Sequence, residues 1–318
     1  MFCGRSDCQE VALKRVVITG GSGFIGRTLT DELLKAGYEI IWLSRNPDKT
    51  RNVPNGMRVE KWDARTAQGW GALADGAEAI VNLAGESIGI PPIPWTVERK
   101  RRIRDSRVNA GKAIVEAARA AHERPRVVIQ SSAVGYYGAR GDEIIVEKDS
   151  AGSDFLSQVA VEWEASTAEV ESLGVRRVVI RTGLPLHKTG GVFPFLVLPF
   201  KLLFGGRIGS GKQFLAWIHL ADAVRAIKFL IENENVHGAF NLTAPNPLTN
   251  ADFGRVLARV LRRPFWFPVP AFALKLALGE MAELLLLNGQ RVVPERFLRA
   301  GFKFQFADAE GALRDVLK

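Results

Sequence analysis

The stretch Arg15–Gly26, RVVITGGSGFIG, decides the fold. Its apolar run, Val16-Val17-Ile18, reads as a strand covered on both faces. The run meets glycines at 20, 23 and 26, and a helical pattern opens near Phe24. A glycine-rich turn between strand and helix is the phosphate-holding element of a dinucleotide site. Gly20 permits the tight turn, Gly23 lets backbone approach a ligand with no Cβ in the way, and Gly26 lets the helix pack closely on the strand. The N–H groups near Phe24 and Ile25 then face a pyrophosphate, with the helix dipole behind them.

Outward from this turn, short Val/Ile-rich runs at 15–19, 39–44, 57–62, 79–84, 126–131, 176–181 and 239–243 read as strands. Helical patterns fall near 24–37, 97–122, 155–173 and 220–233. Strand and helix alternating in this way predict an α/β fold, a Rossmann-type doubly wound parallel sheet with right-handed crossovers. After residue 184 the pattern loosens, and Pro, Gly and Phe cluster in 185–211. The expected division is a flexible extension (1–14), a nucleotide-binding domain (15–184 and 214–244) and a smaller, mostly helical substrate module (185–213 and 245–318).

The second strand indicates which dinucleotide. An NAD site ends this strand in Asp or Glu, which accepts from the ribose 2′-hydroxyl. Here it ends IIWLSRNPDK, with Ser44, Arg45 and Lys49 and no acid at the tip. A carboxylate there would repel a 2′-phosphate, whereas a guanidinium fork at Arg45 grips one. The cofactor expected is NADP(H); the competing reading has Arg45 pointing to solvent.

Bulk properties narrow the rest. The chain has 318 residues, 47% hydrophobic and 24% charged, and a net charge of +9. The basic segment ERKRRIRDSR (98–107) runs right round a helix with few aromatics beside it, so no nucleic-acid partner is expected. The apolar windows 192–204 and 272–287 carry prolines or charges, fall short of a membrane span and are expected to be buried or pocket-lining helices, with membrane contact the competing reading. The N-terminus lacks a signal-peptide core, and its Cys3 and Cys8 are the only cysteines. The four histidines are scattered. No metal is expected, and the location expected is a reducing cytoplasm.

Further stretches carry a resemblance. TGGSGFIG, Trp62-Asp63, Asn82-Leu83-Ala84-Gly85 and SSAVGYYG (131–138) resemble motifs of the short-chain dehydrogenase/reductase superfamily, of its extended, nucleotide-sugar-epimerase-like type. NLAGESI, WTVERKRRIRDSR, GGRIGSGKQFLAWIHLAD and GFKFQFADAEGALRDVL resemble an atypical subgroup, the "epimerase family proteins". The resemblance implies an NADP-dependent oxidoreductase or epimerase-like protein. In it Asp63 meets the adenine, Leu83, Ala84, Gly85 and Glu86 line the cofactor, and Ser132 is the active-site serine. Plant and cyanobacterial relatives of this kind are linked with plastid or cell division, which implies a non-catalytic alternative: an NADP(H)-loaded scaffold or redox sensor.

The superfamily's Tyr and Lys, four apart on one helix, have no counterpart. Aligned on Glu164, those positions are Leu156 and Ala160; shifted by one, they are Phe155 and Val159. The superfamily's Asn on the preceding helix is replaced by Arg107, expected to reach toward the cofactor or an anionic substrate. Ser132, Arg107 and Tyr137 (or Tyr136) are the expected catalytic groups, and Trp217, His219 and Lys212 the expected substrate contacts. Asp222 is expected to cap the helix that follows it. Arg207, Lys212 and Gln213, with the basic helix, suit an anionic small molecule; a solvated basic surface is the competing reading. A homodimer is left open.

Overall fold

A computed structural model of the chain describes residues 14–89 and 94–318. The N-terminal extension with Cys3 and Cys8 lies outside them, save for Lys14. Strands β1 (Arg15–Thr19), β2 (Glu39–Ser44), β3 (Met57–Lys61), β4 (Ala79–Asn82), β5 (Val127–Ala133), β6 (Arg176–Thr182) and β7 (Gly238–Leu242) form one seven-stranded sheet. Its order is β7-β6-β5-β4-β1-β2-β3, and every pairing is parallel. The strands are Val/Ile-rich because both sheet faces are covered. Helices α1 (Phe24–Lys35) and α5 (Leu220–Glu232) close one face, where Leu29, Leu33, Ile227 and Leu230 meet Val16, Ile18 and Ile129. Helices α2 (Val97–Ala120) and α3 (Phe155–Ala165) lie on the other, where Ala110, Ala113, Ile114 and Ala117 of α2 meet Val17, Ile80 and Val128.

The crossover after β1 leads outward to β2, and chain order resumes on the other side at β4. That reversal opens a crevice at the carboxyl ends of β1 and β4, where doubly wound folds bind ligands.

The C-terminal region is mainly helical. It contains α6 (Asn250–Leu261), α7 (Ala271–Leu278) and the helix Ala309–Val316. With α4 (Phe193–Lys201) it forms a separate small core around Leu186, Phe193, Val197, Trp217, Leu257 and Leu313. The two apolar windows meet expectation only in part. In the first, α4 buries Phe193, Val197 and Phe200, but Leu202, Leu203 and Phe204 stand exposed. In the second, no residue of α7 is buried, whereas Met281 and Ala282 just after it are. Both faces of the sheet are already covered, and the small core closes without α7. The helix expected over 155–173 ends at Ala165, where the Ser166 hydroxyl donates back to Trp163 O at 2.6 Å; a 3-10 turn follows at Ala168–Val170. Among the described residues no helix is long and apolar enough to cross a membrane.

Candidate cofactor and active site

The glycine turn is set by crowding. Gly20 has φ +68, a conformation that favours glycine. A Cβ there would lie 2.7 Å from Leu83 O. A Cβ on Gly21 would lie 2.6 Å from Trp42 Nε1, and one on Gly26 2.6 Å from Gly21 O. At Gly23, among the described residues, such a Cβ would meet only Gly20 O, at 3.2 Å. Gly20, Gly21 and Gly26 therefore serve packing, and Gly23 leaves an open face. No side chain caps α1 and no acid stands in its first turn. The first N–H groups, Phe24 and Ile25 among them, thus have no intrahelical partner and are available to an anion.

At the tip of β2, Arg45 is exposed and has no side-chain partner among the described residues. Ser44 Oγ lies 3.1 Å from Thr50 Oγ1 and accepts from Asn46 N at 3.3 Å, so it shapes the loop. Sequence reasoning missed the residue that holds this loop. Arg27 of α1 donates to Ser22 O at 2.9 Å, Asn52 O at 2.7 Å and Arg51 O at 2.8 Å. Its guanidinium also lies 5.3 Å from the Trp42 ring.

At the carboxyl edge, Thr19, Asn82 and Gln130 form a buried ladder across β1, β4 and β5. Thr19 Oγ1 donates to Asn82 Oδ1 at 2.7 Å, and Asn82 Nδ2 donates to Gln130 Oε1 at 2.9 Å. Leu83 N and Ala84 N both donate to Thr19 Oγ1 at 3.1 Å, which fixes the backbone of the Leu83–Gly85 segment. Glu86 N donates to Ser106 Oγ, and the Glu86 carboxylate faces Arg102 Nε at 3.4 Å. Asp63 closes its own turn, accepting from Arg65 N, Thr66 N and Thr66 Oγ1. Those bonds, led by the two backbone N–H groups, hold its carboxyl below the usual range.

Arg107 is half-buried. It packs against Gly85, where a Cβ would lie 3.1 Å from its Cζ, and donates to Ile103 O at 2.8 Å. Its Cζ lies 4.9 Å from the Trp163 ring. Burial pushes its pKa down to about 10, with Glu86 opposing. Arg107 thus stands beside the Leu83–Gly85 edge with a poorly solvated charge.

Ser132 belongs to a closed polar network. Its hydroxyl donates to Glu164 Oε1 at 2.6 Å. Arg181, the register partner of Ser132, grips both oxygens of Glu164 at 2.9 Å. Arg181 also donates to Tyr137 OH at 3.0 Å, and Tyr137 OH donates to Asn241 Oδ1 at 2.6 Å. Burial opposes the charge on Arg181, but its bonds to Glu164 outweigh it, and the guanidinium pKa lies above its ordinary value. Burial pushes the Tyr137 phenol up to about 12, against Arg181.

Two expectations change here. Tyr137 is fully buried with both hydrogen-bonding roles filled, so it is a core residue rather than a proton donor. Ser132 is buried and spends its proton on Glu164, so in this arrangement it can only accept. Tyr136 is half-buried, stacks its ring 3.5 Å under the Arg181 guanidinium, and its hydroxyl has no partner among the described residues. Leu156 and Ala160 lie in α3, with Leu156 packed on Gly135 and Ala160 buried.

Trp217 and His219 are likewise packing residues. Trp217 is fully buried, and its indole N–H donates to Asn246 O at 3.1 Å. His219 is the N-cap of α5, its Nδ1 accepting from Ala221 N at 3.1 Å, and its ring stacks on Phe306 at 3.9 Å. Asp222 is not the cap. It accepts from Gln305 N and Phe306 N, and so ties the C-terminal segment to α5. Lys212 is exposed on its loop, and Gln213 Nε2 donates to Ile208 O and Leu286 O.

The basic helix offers little to an anion. Lys100 pairs with Glu280, Arg101 with Glu98, Arg102 with Glu86, and Arg104 with Glu162 and Asp105. The residues that meet near this end are apolar: Trp95 against Phe155 with ring centroids 5.3 Å apart, and Leu285 against Gly89. Sequence reasoning also missed His187, whose ring stacks on Phe24 at 6.0 Å beside the glycine turn. Its Nδ1 is buried without a partner, and burial holds its pKa below 6.5.

This arrangement defines a doubly wound nucleotide-binding protein whose phosphate turn sits at the sheet's switch point. The chain belongs to the NAD dependent epimerase/dehydratase family, whose model matches residues 16–243; residues 269–316 match a domain of unknown function, DUF1731. It is 40% identical over 304 residues to Epimerase family protein YfhF of Bacillus subtilis (strain 168), covering 95% of this chain and 97% of that one. It is 35% identical over 312 residues to the chloroplastic Epimerase family protein SDR39U1 homolog of Arabidopsis thaliana, covering 98% and 88%. Among solved structures, human epimerase family protein SDR39U1 (isoform2) with NADPH matches with a TM-score of 0.84 at 31% identity, covering 95% of this chain and 98% of that one.

Proposed function

We propose that this protein binds NADP(H) and acts as an oxidoreductase on a small, uncharged carbonyl compound without the Tyr–Lys pair. The observation that carries the cofactor is the tip of β2: Arg45, exposed and unpaired among the described residues, with no carboxylate at the strand end. The human relative solved with NADPH supports the same choice. The residues fit the group. Gly23 leaves an open face, and the N–H groups at Phe24 and Ile25 would meet the pyrophosphate, with Leu83–Gly85 as the wall beside it. NADPH supplies a hydride when bound. Tyr136 holds the one free phenol on the β5 edge and is the group suited to give a proton to the substrate oxygen. The paired cations of α2 and the apolar Trp95, Phe155 and Leu285 favour an uncharged substrate over the anionic one the composition suggested.

A second reading, a non-catalytic NADP(H) scaffold or redox sensor, is favoured by the closure of the Ser132–Glu164–Arg181–Tyr137–Asn241 network on itself. Fluorescence titration tests the cofactor. NADPH is expected to bind at least about tenfold tighter than NADH, about 1.4 kcal/mol, and Arg45→Glu to remove the preference. Equal or tighter NADH binding refutes it. NADPH oxidation across a panel of carbonyl compounds then separates the readings: turnover supports the enzyme, and tight binding with no turnover supports the scaffold.

A further inference from the structure

Nine of the fourteen exposed large apolar side chains among the described residues fall in just two segments, 195–204 and 266–276. The segments adjoin. Phe204 and Phe267 stack edge-on at 5.7 Å, Trp266 Nε1 donates to Leu203 O at 2.8 Å, and Ile208 bridges to Val269. On α7, Phe272 and Leu276 are four residues apart, hence on one side, and are 73% and 88% exposed. Leu203 is held at φ +69, a conformation that disfavours a branched side chain, yet it presents that side chain to solvent. Adjoining exposed apolar side chains rimmed by polar ones mark a contact surface.

The charges around the patch select the partner. Lys188 and Lys201 line a groove of about 340 Å³ beside α4, with Phe195 and Leu198. Arg262 and Arg263 immediately precede the aromatic segment. None of these four cations has a side-chain partner among the described residues. Lys275 projects from α7 itself and pairs with Glu283 at 3.2 Å. A twofold contact with a second copy would set these same cations against each other. A surface with Trp, Phe and Leu at its centre and Lys and Arg at its margin matches the interface of an anionic bilayer, where apolar groups enter the acyl boundary and cations meet phosphates.

We infer that the α4–α7 face docks on the surface of an anionic phospholipid bilayer. It lies on the surface only, since no described helix is long enough to span. The test is co-flotation of the full chain with vesicles of phosphatidylcholine alone or of phosphatidylcholine and phosphatidylglycerol in equal parts. The chain is expected to float with the anionic vesicles, to stay behind with the neutral ones, and to be released as salt rises. F272S/L276S alters only exposed side chains. It is expected to keep the parent's unfolding midpoint and to lower vesicle binding at least about tenfold. K201E/R263E is expected to abolish the preference for anionic vesicles. Three results overturn the inference: no flotation with either vesicle, flotation indifferent to both double variants, or a dimer by light scattering that F272S/L276S splits.

Discussion

Substituting two neighbouring glycines should separate the packing and binding roles of the phosphate turn. In Gly21→Ala the new Cβ would stand 2.6 Å from Trp42 Nε1, against an ordinary contact of about 3.5–4.0 Å. Trp42 cannot swing aside. It is buried, its indole N–H donates to Thr30 Oγ1 at 2.7 Å, and that hydroxyl donates to Gly26 O at 2.8 Å. Relief requires moving α1 or breaking a bond. Overpacking costs about 1–3 kcal/mol and a lost buried bond about 1 more. The stiffer unfolded chain offsets about 0.4–1 kcal/mol. The expected net loss is about 1–4 kcal/mol. Gly23, at φ −71, meets only Gly20 O at 3.2 Å. Gly23→Ala should therefore stay within about 0.5 kcal/mol of the parent, while its methyl enters the ligand face and weakens NADPH at least about tenfold. Urea unfolding without nucleotide and a fluorescence titration measure the two quantities. The reasoning fails if Gly23→Ala unfolds as readily as Gly21→Ala, or if it binds NADPH as the parent does.

Tyr136→Phe is expected to lower turnover by about a hundredfold or more and leave urea unfolding unchanged. Tyr137→Phe should do the reverse, destabilising by about 1–3 kcal/mol; exchanged outcomes would refute both assignments. His219 has its pKa lowered, chiefly by burial, against Asp315. Its contribution to stability is thus present above pH 6.5 and is lost as pH falls through the lower folded value. His219→Asn keeps a good capping residue and should flatten this acid dependence of the unfolding midpoint while leaving NADPH affinity intact. A loss of affinity would restore His219 to the ligand site.

The strands and the glycine turn were legible because they are local; the strand order was not read from the sequence. Val/Ile runs mark covered strands, and Gly20–Gly26 sits between strand and helix. The reading that the Tyr–Lys pair is absent rests only on the resemblance that set the register of α3. The polar network was not legible, because its partners are far apart in sequence: Glu164 lies 32 residues from Ser132, and Asn241 lies 104 from Tyr137. Trp217 and His219 were placed at the site through the resemblance of the WIHLAD stretch, which does not say which way their side chains face. The α7 half of the second window misled for a related reason. AFALKLAL has the composition of a buried helix, and composition does not say whether a layer remains to cover it.

The reach of Arg27 has one more consequence. By clasping carbonyls from both the glycine turn and the 51–52 segment, it joins the part of the protein that meets the diphosphate to the loop beyond the Arg45 tip. Both arrive as one preset body, so little ordering entropy is lost when nucleotide lands. Discrimination between the two dinucleotides should then appear mainly in how fast each one leaves, with similar rates of arrival.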